Sequence, residues 1–324
     1  MRRRDLLVLF GGTVGWPAAA PAQQPAPPLV RFLRSTPAAP FAGLVAAFRK
    51  GLSEAGLVEG QTVTVDYRWA DNQLDRLPGL AADLVGREVA VIVGNGLAVR
   101  AAKAATSTIP VVFVLADDPV ESGLVASLSR PGGNITGVTF FAGAALNLKR
   151  LELLHEVAPK GLPIAVLLDP NYPEGADMSG IEAAARALGR PAKVVTAAGP
   201  RELEEAFAAM IRAGAGAVLV SGSSFFTSQR QAIVALAARH ALPAIYDLRD
   251  YVETGGLASY GASISEAYRQ AGQYVGRILG GARPSEMPVL RSTAFEMAIN
   301  LKTARALNLT IPPTLLARAD EIIE

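Results

Sequence analysis

The chain of 324 residues contains no cysteine. Disulfides, thiolate metal sites and a lipid-anchored cysteine are thereby excluded. Histidine is nearly absent too: His155 and His240 are the only two, and both fall inside predicted helices. His240 suits the positive charge that a helix C-terminus favours better than a general base. No serine stands in a G-x-S-x-G elbow, and no carboxylate–histidine spacing suggests a metal. Net charge is also scarce. The formal charge is +2, and once Arg2, Arg3, Arg4 and Asp5 are set aside the basic and acidic side chains balance. That leaves no polybasic face for nucleic acid.

Apolar residues are abundant. Half of the side chains are hydrophobic, which suits buried parallel sheets covered by Ala/Leu-rich helices. The length exceeds what one core usually serves, so two domains are expected.

Residues 89–118 set the pattern. An apolar run, Val89 to Val93, meets the turn Gly94-Asn95-Gly96. A helical segment follows from Leu97 to Ala105, then Pro110, a second apolar run from Val111 to Leu115, and Asp117-Asp118. Short buried runs separated by a helix predict a βαβ unit with parallel strands. About 125 residues later the order is repeated in residues 217–250, and the amphipathic helices that precede both copies match as well. The repeat predicts two similar α/β lobes with parallel sheets. Open α/β sheets bind ligands at the carboxyl ends of their strands. Two such edges facing each other make a cleft.

In chain order, Met1 to Ala22 carries a basic start, a short apolar core and an Ala20-Pro21-Ala22 cleavage site. This predicts an exported protein cleaved near Ala22, by the general or the twin-arginine route, in the periplasm. Its apolar run falls short of the ~20 residues needed to span a bilayer. Residues 23–28 are a Pro-rich lead-in. Lobe 1 is expected in 29–141 plus 256–284, and lobe 2 in 142–255 plus 285–324. Asp118-Pro119-Val120-Glu121 reads as a helix start, with a short helix reaching Leu128. Val289 to Ile299 suggests a hairpin-like strand pair. The chain is expected to pass between lobes near Phe141, Gly255 and Pro284, which makes a hinge of several strands.

This arrangement resembles the ABC transporter substrate-binding proteins of the type 1 periplasmic-binding-protein fold, in the branch related to receptors for tryptophan and other aromatic amino acids. The motifs that carry the resemblance are Asp118-Pro119-Val120 with Gly123-Leu124-Val125, Arg130-Pro131-Gly132-Gly133-Asn134-Ile135-Thr136-Gly137 and Lys149-Arg150-Leu151-Glu152-Leu153-Leu154. Phe225-Phe226 before a helix, Tyr260-Gly261, Asn300-Leu301-Lys302-Thr303-Ala304 and the C-terminal Leu315-Leu316-Ala317-Arg318-Ala319-Asp320 also match. The resemblance implies a receptor that captures a small solute between its lobes and delivers it to a membrane permease driven by a separate ATPase. No cofactor is implied, and a monomer is expected. This chain has no G-x-x-x-x-G-K-[ST] loop of its own, and Gly94-Asn95-Gly96 lacks the third glycine of a dinucleotide fingerprint.

The candidate ligand contacts are polar strand-end residues and nearby aromatics. A ligand carboxylate can sit at helix N-termini helped by Ser35, Thr36, Asn95, Gly96, Asn171, Ser223 or Ser224, or these groups cap only their own helices. Asp118 is read as a helix cap. Asp117 is then free for an ammonium group or lies solvated in its loop. Asp169 and Asp247 hold matching positions in lobe 2. Arg34 either clamps an anion or is an exposed side chain, the exposed placement being preferred. Phe140, Phe225, Tyr246 and Tyr260 are expected to sandwich an apolar or aromatic side chain, against ordinary core packing. Phe225-Phe226 stand out because consecutive aromatics in a turn cannot both enter one core. The expected solute is an amino acid or similar small carboxylate, aromatic or branched apolar in side chain. Alternatives are a sensor module for a signalling partner and an α/β lyase or isomerase using Asp117 and His240. The export signal argues against a sugar-responsive transcription factor of this fold.

Overall fold

A computed structural model describes residues 26–85, 89–140, 144–172, 178–292 and 295–324. The expected signal segment lies outside the described residues. The first half of the chain runs β1 (Leu29–Arg34), α1 (Ala42–Glu54), β2 (Thr64–Trp69), α2 (Leu77–Val85), β3 (Val91–Asn95), α3 (Gly96–Ala105), β4 (Val111–Leu115) and β5 (Ile135–Thr139). Next come α4 (Ala144–Val157), β6 (Ile164–Leu168), α5 (Met178–Ala187), β7 (Ala192–Thr196), α6 (Pro200–Arg212), β8 (Ala217–Val220), α7 (Ser224–Ser228), α8 (Arg230–Arg239) and β9 (Ala244–Tyr246). The chain ends with α9 (Arg249–Glu253), β10 (Ala258–Ala262), α10 (Ile264–Leu279), β11 (Leu290–Arg291), β12 (Phe295–Asn300), α11 (Leu301–Ala306), α12 (Pro313–Leu316) and β13 (Glu321–Ile323).

Two sheets form. The six-stranded sheet has the order β11-β5-β4-β3-β1-β2 and the seven-stranded sheet the order β13-β12-β10-β9-β8-β6-β7. The first five strands of each lobe therefore share one order: second, first, third, fourth, fifth. Pairing is parallel except between β10 and β12, which run antiparallel. The apolar runs explain why: β3 and β4 are buried at every residue, as strands covered by helices on both faces must be.

Three readings of the sequence need correction. First, β10 belongs to the second sheet, where it pairs with β9 and β12, and β11 belongs to the first, where Leu290 and Arg291 pair with Val138 and Thr139. Lobe 2 therefore keeps 256–262, and lobe 1 takes α10 and β11. The chain passes back to lobe 1 at Ser263 and to lobe 2 between β11 and β12, both later than expected. The physical reason is that short strands are placed by distant partners rather than by their own sequence. Second, β11 and β12 are no hairpin, since they lie in different sheets. Third, residues 116–134 run as turns, not as a short helix. Asp118 does cap, accepting from the N–H groups of Val120 (2.8 Å) and Glu121 (3.3 Å), but Gly123 adopts a φ of 65° and turns the chain away.

Helix α10 joins lobe 1 by lying across α1. The contact is close enough that both helices carry glycine at the crossing. A Cβ at Gly51 would lie 1.8 Å from the Arg269 carbonyl oxygen, and one at Gly272 would lie 2.3 Å from that of Phe48. Replacing Gly51 with alanine should therefore push the helices apart and cost about 2 kcal/mol, the scale of core overpacking. Urea unfolding reads this directly, and an unchanged midpoint would show that the crossing can relax.

Candidate functional site

Parallel strands deliver all their following loops to one edge. In a sheet of order 2-1-3-4-5, the crevice opens between the first and third strands, where successive connections leave to opposite faces. Lobe 1 has that point between β1 and β3, and lobe 2 between β6 and β8. The two points face one cavity, which encloses about 850 Å³ including its mouth. Each of β1 to β9 contributes at least one residue at or just beyond its end.

Asn95, the last residue of β3, organises the lobe 1 side. Its Oδ1 accepts from the Ser35 N–H (3.1 Å), and its Nδ2 donates to Ser35 Oγ (2.9 Å). The same Nδ2 reaches across the cleft to Ser224 Oγ of α7 (3.0 Å). Other bonds cross beside it. Asn72 Nδ2 donates to Ser228 Oγ (3.1 Å), Arg230 Nη1 to the Pro40 carbonyl (3.0 Å) and the Tyr172 hydroxyl to Asp117 Oδ1 (2.9 Å). The lobes are closed upon each other.

Of the expected contacts, Ser35, Asn95, Gly96 and Phe140 line the cavity from lobe 1. Asn171, Ser223, Ser224 and Phe225 line it from lobe 2. Ser223 also caps α7, accepting from the Phe226 N–H (3.0 Å). The others lie elsewhere. Thr36 is buried beside the site, where its Oγ1 accepts from Arg34 Nε (3.2 Å). Asp117 is neither solvated nor free: Arg100 pairs with it at 3.0 Å from one side and Tyr172 bonds it from the other. Tyr246 packs in the lobe 2 core, stacked on Tyr251 of α9 at 4.5 Å. Tyr260 packs against Phe295 (6.2 Å) and offers only its carbonyl to Arg150 (2.7 Å). The aromatic pair Phe225 and Phe226 does enter one core, since both sit in α7 rather than in a turn.

Arg34 overturns the exposed placement. It is 1% exposed, lines the cavity and lies with its guanidinium 3.9 Å from the Phe41 ring centroid. Its Nη1 donates to the Tyr268 hydroxyl. Burial lowers its pKa, while Tyr268 acts in the other direction. Tyr172 and Tyr268 were missed altogether. Tyr172 stands directly after Asn171 in the loop that follows β6, so its position was legible and its aromatic ring was overlooked, whereas Tyr268 reaches the site from distant α10 and carries no local signal.

The carboxylates of lobe 2 are perturbed. Burial raises the pKa of Asp169, against the N–H of Asn171 and the hydroxyl of Ser223, which lower it. Burial pushes Asp247 up to about 6, opposed by the charge of Arg150. Among the described residues the expected pair Asp117 and His240 is not brought together. His240 caps the C-terminus of α8 against Phe207, at the sheet edge opposite the cleft, so it cannot serve with Asp117.

Two lobes of one strand order, closed by hinge over a solute-sized cavity, define the type 1 periplasmic-binding-protein fold. The chain belongs to the family described as ABC transporter substrate binding protein, whose model matches residues 41–323. Membership makes it a binding protein and not an enzyme. A curated relative, the tyrosine-binding protein of Clostridioides difficile (strain R20291), is 24% identical over 264 residues, 81% of this chain and 75% of the relative. An ABC domain from Streptococcus pneumonia, solved in complex with L-Trp, superposes with a TM-score of 0.81 at 23% identity, covering 92% of this chain and 100% of that one. A conserved domain protein from Vibrio cholerae also gives a TM-score of 0.81, at 26% identity over 91% of this chain and 99% of that one. Among the described residues no helix is long and apolar enough to cross a membrane, and no group of His, Asp and Glu is placed to hold a metal ion.

The raised pKa of Asp247 has a stability consequence. The folded state keeps its proton to about pH 6, whereas the unfolded carboxyl loses it near the ordinary 3.8. Its contribution is therefore complete at low pH and declines as pH rises from about 4 to 6. Asp247→Asn should remove that decline. The ligand-free variant should melt higher than wild type at pH 7, by up to roughly 3 kcal/mol at 1.36 kcal/mol per pKa unit, and no higher at pH 4. Equal melting curves at both pH values would show that Asp247 carries no such burden.

Proposed function

We propose that this chain is the extracytoplasmic receptor of an ABC importer for an amino acid or similar small carboxylate with an aromatic or branched apolar side chain. The observation that carries this reading is the division of the closed cavity into a polar edge and apolar walls. Ser35, Asn95, Ser223 and Ser224 gather at the switch points, while Phe41, Leu74, Leu97, Phe140, Phe225 and Ile264 form apolar surface. A few fixed polar groups within an apolar cleft are what a small amphipathic solute requires. The ten-residue helix α3 begins at Gly96 in the cavity wall, with no side-chain cap on its free N–H groups. Together with Arg34 it supplies the positive side for a carboxylate. The names of the similar proteins, one tyrosine-binding and one complexed with L-Trp, support an amino-acid solute.

In this reading the segment 1–22 exports the chain and is removed, and the closed receptor docks on a permease worked by a separate ATPase. Deleting residues 1–22 should hold the protein in the cytoplasm, as cell fractionation would show.

Thermal unfolding of residues 23–324 against amino acids, small carboxylates and sugars tests the solute class. A ligand at 1,000 times its dissociation constant adds roughly 4 kcal/mol, a shift of several degrees. Aromatic or branched amino acids should give the selective shift, and Phe225→Ala should weaken binding about tenfold through lost apolar contact. A shift with sugars alone would overturn the solute class, and unchanged affinity in the variant would remove Phe225 from the site.

A further inference from the structure

At the edge of lobe 2 opposite the cleft, the connection from α4 to β6 meets the connection from α5 to β7. Arg190 stands in the second of them. Its N–H closes the last turn of α5 on the Ala185 carbonyl (2.8 Å), and Pro191 after it leads into β7. The residue is only 1% exposed. Its Nε donates to the Leu162 carbonyl of the other connection (2.8 Å), which fixes the guanidinium. Nη1 and Nη2 are both buried and meet no acceptor among the described residues.

No carboxylate answers this charge. Burial lowers the pKa of Arg190, and no acidic group opposes it. Glu156, near the end of α4, faces Arg318 at 3.8 Å, and Glu152 is held by Lys149 (2.8 Å). Glu182 and Arg186 of α5 and Lys193 of β7 are exposed. The nearer neighbours carry positive charge or gain it on protonation. Lys160 donates to the His155 carbonyl, and His155 Nδ1 is itself buried without a partner among the described residues. Burial lowers the pKa of His155, and the charges of Lys160 and Arg190 lower it further, against Glu156. The two connections also leave an open approach. Gly161 and Gly189 take left-handed backbone (φ 78° and 68°), and a Cβ at either would meet no atom within 4 Å.

A buried guanidinium with two unused nitrogens is unfavourable, and an apolar side chain would fill the same space without that cost. The planar fork left after Nε is engaged matches two oxygens of one anion. We propose that Arg190, with Lys160, binds a small oxyanion, phosphate or sulfate, at this edge of lobe 2. The anion neutralises a charge that the fold leaves uncompensated and ties the two connections together. The site shares no lining residue with the solute cavity, so it goes beyond the receptor reading and does not depend on it.

The two histidines of the chain make the test direct. Proton NMR of residues 23–324 follows both imidazoles as sodium phosphate or sodium sulfate is added, beside sodium chloride at equal ionic strength. His155 should shift saturably in the millimolar range. Its pKa should rise, because the anion offsets the two cations that depress it. His240, at the end of α8, should not respond. The melting temperature should climb with either oxyanion and not with chloride. Arg190→Leu should abolish both responses and leave solute binding in the cleft unchanged. Lys160→Gln, at an exposed position, should weaken them several-fold, and it decides the matter if Arg190→Leu does not fold. Responses no larger than those to chloride, or undiminished responses in the folded variants, overturn the proposal.

Discussion

The primary amide of Asn95 is the point at which the two lobes are fastened. An amide carries an acceptor and a two-hydrogen donor on one planar group. Here the acceptor holds the backbone of the β1 loop, while the donor holds Ser35 within lobe 1 and Ser224 of lobe 2. Because Asn95 ends β3 and Ser35 follows β1, the same side chain sets the spacing of the switch point and the position of the first turn of α3. A carboxylate there could not donate, and a hydroxyl could not span both lobes. The cross-cleft bonds at Asn95, Asn72 and Tyr172 are each worth about 1 kcal/mol net. Closure is therefore a shallow preference, and a solute that touches both lobes gains from every one of these contacts without having to create them.

The charged groups follow the same logic of division between lobes. Arg34 is sheltered by Phe41 and Tyr268, both on lobe 1 elements, so the cation is held before the cleft closes. Asp247 is sheltered by Arg150 and the α9 turn of lobe 2. Neither group needs the other lobe for its shape, but both are desolvated, and desolvation is what makes a charge discriminate among ligands rather than merely attract them.

How much of this was legible from the residues depends on where each feature's cause lies. The strand-end loops were legible because their cause is local. A fully buried parallel strand must read as an unbroken apolar run, so Val111 to Leu115 announces both itself and the loop after it. The repeat of residues 89–118 in 217–250 then gave the second lobe, with Asp247 standing where lobe 1 has its own strand-end aspartate. Arg34 was misread because its cover is remote: Tyr268 is more than two hundred residues away, and no periodicity around Arg34 records it. Tyr246 and Tyr260 were misjudged for a related reason. Ending β9 fixes the height of Tyr246 in the sheet but not the face its ring takes, and Tyr260 stands in the middle of β10 rather than at its end, so its ring packs on neighbouring Phe295. Gly123 defeated the cap at Asp118, since one residue in the left-handed region redirects a chain that its first three residues had started as a helix.

The exchange of segments between lobes carries the last consequence. Lobe 1 lacks α10 and β11 until the chain has passed through β10 of lobe 2 and returned. Yet α10 packs on α1 through Gly51 and Gly272 and supplies Ala267, Tyr268, Ala271, Tyr274 and Val275 to the lobe 1 core. Lobe 1 is thus completed late, by a segment whose position is fixed at its start by lobe 2. The lobes are joined at three crossings, so their relative motion is a bend about those crossings, not a free swing on one tether. A bend returns the same loops to the same facing positions at each closure. That is the condition under which one amide and a few hydroxyls, reaching across from fixed strand ends, can find their partners without a search.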